Sequence, residues 1–127
     1  MNQLLFVAAG GAWGASARHL VGLGALRLLG PGWPYGTLTV NVVGGLAMGL
    51  LAGWLALTDH PNASALRYAL GVGVLGGFTT FSAFSLEVAL MIERKEVVSA
   101  AAYVGLSVAG AVGALFIGLM IARRMVA

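Results

Sequence analysis

The sequence contains no cysteine, which excludes disulfides, thiol nucleophiles and thiolate metal sites. Charge is nearly as scarce. Only 9% of residues are Asp, Glu, Lys or Arg, and four of the 127 are acidic. A soluble domain of this length could not cover its surface with so few polar side chains. The two histidines, His19 and His60, have no nearby partners at metal-ligand spacing. There is no Ser-His or Ser-Lys arrangement in a recognisable motif and no phosphate loop, so nothing here supports an enzyme. The formal charge of +3 does not signal nucleic acid either, because the basic residues sit at segment ends and form no stripe.

What the chain has is apolar length. Hydrophobic residues make up 60% of it, and four apolar stretches can be cut out: Leu4 to Leu29, Tyr35 to Thr58, Leu66 to Ile92 and Val97 to Ile121. Each exceeds the roughly 20 residues a spanning helix needs. Lipid is the expected solvent. The stretches use nearly all of residues 1–127, which predicts a single four-helix transmembrane domain with its function inside the membrane. Ala15-Ser16-Ala17 has the small-x-small look of a processing site behind Leu4 to Ala9. The run is short, the first five residues lack Lys and Arg, and cleavage would delete half a helix, so the segment is expected to be retained.

Short polar connections, Gly30-Pro31-Gly32-Trp33-Pro34, Asp59-His60-Pro61-Asn62 and Glu93-Arg94-Lys95-Glu96, imply antiparallel neighbours. Trp33, Tyr35 and Trp54 lie near segment ends, as rings anchored at the headgroup level do. Counted across a four-helix topology, one side holds Arg67, Arg123 and Arg124 and the other Arg27, Arg94 and Lys95, with Arg18 inside the first apolar stretch. With no positive-inside bias, the chain is expected to insert both ways and pair as an antiparallel homodimer. Four packed helices leave no central space, so a pathway must lie between subunits or in a surface groove. Such a dimer is the two-chain version of the inverted-repeat plan of many transporters.

The twenty glycines are assigned mostly to close helix packing, through the pairs Gly10/Gly14, Gly45/Gly49, Gly49/Gly53 and Gly73/Gly77. The dinucleotide fingerprint at Gly71-Val72-Gly73-Val74-Leu75-Gly76 is a chance match inside an apolar span. The unusual stretch is Gly76-Gly77-Phe78-Thr79-Thr80-Phe81-Ser82-Ala83-Phe84-Ser85, midway along the third segment. A continuous helix is poorly favoured there. One reading is a broken helix whose freed carbonyls, Gly76 and Thr79, hold a cation. The other is an intact helix whose hydroxyls bond back to the preceding turn.

Phe81 and Phe84, three apart, share a helix face, either for packing or to offer positive ring edges to a small anion. Asn41, about two turns into the second segment, brings an amide to depth, as a pore donor or as interhelical glue. Tyr103 and Ser107 form a line of hydroxyls on the fourth segment, again with packing as the alternative. Arg18 either draws anions into a vestibule or snorkels to the headgroups. Glu87 either pairs with a cation or lines a water-filled entry. The first, second and fourth segments hold no acid, which argues against a proton-coupled cation exporter.

Taken together these residues resemble the Fluc (CrcB) family of fluoride channels over nearly the whole chain. The resemblance is carried by Gly10-Gly11-Ala12-Trp13-Gly14-Ala15 with Arg18, by Gly36-Thr37-Leu38-Thr39-Val40-Asn41 with Gly44, and by Gly76 to Ser85 with Glu87. It implies a multi-pass protein of a bacterial inner membrane: four helices, the third broken, in a dual-topology homodimer that passes fluoride through two pores to relieve fluoride toxicity. It also implies a central structural sodium ion on Gly76 and Thr79 of both subunits. Phe81 and Phe84 become the ring-edge box, Asn41 the pore amide, and Tyr103 and Ser107 the start of a hydroxyl track. Arg18, Thr37, Thr80, Ser82 and Glu87 take vestibule or accessory places. Ala83 stands for a usual Thr, His19 for a common aromatic, and Ala111 where some members carry a hydroxyl. Two rivals remain: a small multidrug exporter, whose first-helix carboxylate is absent, and an assembly subunit with no transport of its own.

Overall fold

The computed structural model describes residues 2–126, all helical apart from short connections. Helix α1 spans Asn2–Leu29 and α2 spans Tyr35–Leu57. A third limb, Ala63–Glu93, is split into α3 (residues 63–78) and α4 (Ser82–Glu93). Helix α5, Val97–Val126, completes the chain and runs beyond the expected Ile121 to include Arg123 and Arg124 in its last turn. By length and apolar composition three of the four limbs can cross a membrane: α2, the third limb and α5. At 28 residues α1 also has the length, but Arg18, His19, Arg27 and several glycines dilute its apolar character.

The ends follow local chemistry. Helix α1 stops at Gly30, whose φ of 79° is open to glycine and whose N–H closes the last turn on the Leu26 carbonyl at 3.0 Å. Pro31 then prevents continuation. Helix α2 stops at Thr58, where the N–H (3.0 Å) and the hydroxyl (2.8 Å) both donate to the Trp54 carbonyl. Helix α4 ends through Lys95, which takes the left-handed conformation at φ 61° without being glycine. Its N–H donates to Ile92, and the next N–H, of Glu96, donates to Met91.

Two seams of small residues hold the bundle. On α1, a Cβ added at Gly10 would strike the Ala69 carbonyl and one at Gly14 the Val74 carbonyl, while one at Gly77 would meet the Gly11 carbonyl at 2.6 Å. On α2, a Cβ at Gly45 would lie 2.6 Å from the Ala111 carbonyl, one at Gly49 would strike that of Leu115, and one at Gly53 would lie 2.7 Å from Ala122 Cβ. All four expected glycine pairs therefore sit at crossings where backbone meets backbone, the arrangement that gains most from dispersion in lipid. The sequence pattern did not reveal that Arg67–Leu75 is π-helical. That geometry is rare and concentrates at functional sites. Here it leads directly into the break.

A small buried core of Phe84, Met91, Ala100 and Tyr103 sits between α4 and α5, with Trp33, Leu38, Val88 and Val104 packed on it. Trp33 is thus more than a headgroup anchor: its Nε1–H donates to Ser99 Oγ at 2.9 Å and its ring meets Tyr103 edge-on. Most other large apolar side chains, Trp13 and Leu28 among them, lie on the outer surface, as expected where lipid is the solvent.

Candidate functional site

The site is built around the break. Thr79 leaves α3 in an extended conformation (φ −90°, ψ 160°), and α4 starts anew at Ser82. The break strands carbonyls that a continuous helix would satisfy. The donor due to Gly76, the Thr80 N–H, turns instead to Asn41 Oδ1 at 2.8 Å. The donor due to Thr79, the Ala83 N–H, goes to Thr80 Oγ1 at 3.2 Å, capping α4. The Gly77 carbonyl is taken by Arg18 Nε at 3.1 Å. Among the described residues no donor reaches the Gly76 or Thr79 carbonyl. The intact-helix alternative does not hold, although the Thr79 and Ser85 hydroxyls do bond back to the Leu75 and Phe81 carbonyls, each at 2.9 Å.

Asn41 holds the break from α2. Its Nδ2 donates to the Thr80 carbonyl at 2.9 Å while its Oδ1 accepts from the Thr80 N–H. The expected pair of donors is therefore reduced to one remaining N–H. Arg18 does not snorkel with its Nε, which is committed to Gly77. A guanidinium there also opposes the negative end of α3.

Asn41, Gly76, Thr79, Thr80, Phe81, Phe84 and Ser107 line one groove of ≈ 490 Å³ between α2, the break and α5. The Phe81 and Phe84 ring centroids lie 5.6 Å apart, so the two do adjoin. Their surroundings differ sharply, however: Phe84 is 8% exposed and Phe81 is 77% exposed. Phe81 stands just before α4 and lies outward, whereas Phe84 lies inside the first turn. Ser107 is buried, and its Oγ finds no hydrogen-bond partner among the described residues. A buried hydroxyl without a partner costs about 1–3 kcal/mol, and this one borders the groove.

The hydroxyl line divides at this point. Tyr103 is fully buried behind Phe84, at 5.2 Å between ring centroids, and its hydroxyl donates to Glu87 Oε1 at 3.3 Å. It lines no part of the groove. Ala111 does line it, so the position beyond Ser107 presents a methyl. Glu87 and Thr37 border another cavity, of ≈ 350 Å³, at the α1–α2 loop. Ser82 Oγ lies at the surface, 3.4 Å from Thr80 Oγ1.

Sequence reasoning missed Met48, Val108, Val112 and Leu115, which line the groove wall, and the Gly77 carbonyl as the partner of Arg18. No local spacing signals a bond between positions 59 apart. The described residues hold no group of three or more His, Asp or Glu suited to a metal. Any cation would have to be a hard one taken by carbonyl oxygens.

Residues 5–119 match the family model described as CrcB-like protein, Camphor Resistance (CrcB). A protein of Caulobacter vibrioides named fluoride-specific ion channel FluC is 60% identical over 127 residues, covering all of both chains. One of the same name from Phenylobacterium zucineum is 61% identical over the same full length, and one from Mesorhizobium japonicum is 48% identical over 98% of this chain and 99% of its own. The broken third limb, its glycine seams and these full-length matches establish that the chain belongs to the CrcB family.

Proposed function

We propose that this chain is a fluoride-selective channel, not an enzyme, that lets fluoride leave a bacterial cell passively across the inner membrane and so relieves fluoride toxicity. The observation that carries this reading is the groove beside the break. It offers the unpaired Ser107 hydroxyl, the remaining Asn41 N–H and two Phe rings in otherwise apolar surroundings. Fluoride is small, strongly hydrated and a strong hydrogen-bond acceptor. A narrow path must replace its water with donors and positive ring edges. Chloride is larger and binds such donors less strongly. The relatives' shared name points the same way.

The working unit is an antiparallel homodimer with two pores. Three features support it: the balanced Lys and Arg counts on the two sides, the groove's opening onto the molecular surface, and Phe81, a large ring left exposed at the groove's edge. A second copy would close the groove. The Gly76 and Thr79 carbonyls, stranded by the break, fit a structural sodium ion. One chain supplies only these two, so the site calls for a second copy. The ion would add positive charge at the meeting of two broken helices and hold them together without moving with the anion.

Passive efflux from liposomes containing only the purified protein, loaded with fluoride or chloride and supplied with valinomycin, tests the reading. Rapid fluoride release without chloride release is the expected result. Release of neither anion would return the chain to the exporter or assembly readings.

A further inference from the structure

At the end of the bundle where α2 and α5 both finish, a cavity of ≈ 320 Å³ is lined by Leu50, Leu51, Trp54, Ala122 and Met125. None of these residues lines the groove beside the break. The side chains are apolar except for the Trp54 indole N–H, which has no partner among the described residues. Arg123 and Arg124 stand between Ala122 and Met125 in the last turn of α5, so the cavity opens beside two cations. Both are exposed, and neither makes an ion pair or a side-chain hydrogen bond with any described residue. The one acidic side chain on this side is Asp59, exposed beyond the end of α2. The opposite side differs: there Arg94 is paired with Glu96 at 3.3 Å.

We propose that this end of the chain is a binding site for an anionic phospholipid of the bilayer, with a stretch of acyl chain in the cavity and the phosphate at Arg123 and Arg124. A void at membrane depth gains dispersion contacts only when something fills it, and lipid tails are what surround it. Any phospholipid can supply a tail, so the headgroup decides which lipid stays. Guanidinium forks take phosphate oxygens through paired N–H donors. The charge of the two arginines also opposes the negative end of α5, but their N–H donors remain without partners among the described residues. A zwitterionic lipid would bring its own ammonium beside these cations, whereas an anionic one adds only negative charge. Trp54, in the last turn of α2, lies where an indole N–H can reach an ester carbonyl. The site belongs to a single chain and is independent of the channel reading; two chains paired antiparallel would present one site to each leaflet.

The chain has three tryptophans, so full-length protein labelled with 5-fluorotryptophan gives three fluorine signals, and Trp54→Phe assigns the one at the cavity. In micelles of a neutral detergent, phosphatidylglycerol is expected to move the Trp54 signal saturably. Phosphatidylcholine with the same chains is expected to bind about tenfold more weakly. This comparison uses the unaltered chain and needs no variant. The double substitution Arg123→Gln and Arg124→Gln, on exposed side chains, is expected to weaken phosphatidylglycerol about tenfold and leave phosphatidylcholine unchanged. Glycerophosphoglycerol, the same headgroup without acyl chains, is expected not to displace the bound lipid. Equal affinity for the two lipids, or an unchanged response in the double variant, would mean a groove that any acyl chain fills and would overturn the site. Displacement by glycerophosphoglycerol would remove the acyl chain from the cavity and overturn it too. An unmoved Trp54 signal, or one that follows protein concentration and not lipid, would do the same, the latter by giving the cavity to a second copy of the chain.

Discussion

Asn41 and Thr80 bond to each other twice: the side-chain amide of one donates to the carbonyl of the other at 2.9 Å and accepts its N–H at 2.8 Å. The amide thereby replaces both backbone bonds that Thr80 cannot make in the broken helix. In a bilayer, where water does not compete, this substitution is what allows the break to exist.

Asn41→Ala leaves a carbonyl and an N–H unpaired and is expected to cost about 2–5 kcal/mol in bilayer stability. Asn41→Gln keeps both the donor and the acceptor on a longer arm, so it should be the milder change. Thermal inactivation of the two variants in detergent checks the order. Equal midpoints would mean that Thr80 has other partners.

Ser107→Ala separates stability from transport. Because the hydroxyl is buried without a partner, its removal should leave stability unchanged or slightly raised. Fluoride efflux should fall by about tenfold, the cost of one lost hydrogen bond to an anion. A fall in both properties would place the hydroxyl in the packing instead.

The glycines divide into two groups. Gly49→Ala drives a methyl into the Leu115 carbonyl of α5 and is expected to destabilise the bundle by several kcal/mol, whereas Gly24→Ala meets nothing within 4 Å. The latter should be neutral or gain up to about 1 kcal/mol from helix propensity. Comparative unfolding in sodium dodecyl sulfate titrations distinguishes them, and similar losses in both would contradict the seam.

Lys95 occupies the left-handed region at φ 61°, which a side chain adopts at a cost of about 1–2 kcal/mol. Lys95→Gly should recover about 1 kcal/mol by relieving it, with unchanged efflux because the residue lies at the far end of α4. A lower melting temperature in this variant would show that the turn relies on the lysine side chain.

On the proposed sodium-linked pairing, replacement of sodium by N-methylglucamine in the buffer should lower the fraction of paired chains without changing the fold of each chain. Single-molecule photobleaching in liposomes, reading the fraction of paired chains, would register the loss. An identical paired fraction in both buffers would remove sodium from the interface.

Much of this was legible from residue order. The apolar stretches gave the helix ends to within a few residues, except where α5 runs on through Arg123 and Arg124 as a charged last turn outside the apolar stretch. The spacing of Gly10, Gly14, Gly45, Gly49, Gly53, Gly73 and Gly77 located the crossings, because backbone contact in lipid requires small residues at helical intervals. The Gly76-Gly77 pair and the hydroxyl cluster after it marked the break.

Other features had no local signal. The π-helical turn at Arg67–Leu75 depends on packing against α1 that glycine content alone does not specify. The division of Tyr103 from Ser107 could not be read from their spacing of four, since that spacing says only that two side chains share a face and nothing of what stands opposite each. Here Glu87 and Trp33 stand opposite Tyr103, and the groove stands opposite Ser107.

The sequence by itself determined that this protein lives in lipid, how many helical limbs it has and where they touch, and it left the third limb open between a broken and an intact helix. These properties follow from length, hydropathy and the steric demand of glycine, all of which act locally along the chain. The tertiary structure alone decided which group satisfies each backbone atom at the break: Asn41 for Thr80, Arg18 for Gly77, and no described donor for Gly76, Thr79 or the Ser107 hydroxyl. Hydrogen-bond partnership between distant segments depends on distances of about 3 Å and on direction, and only the packed bundle sets those.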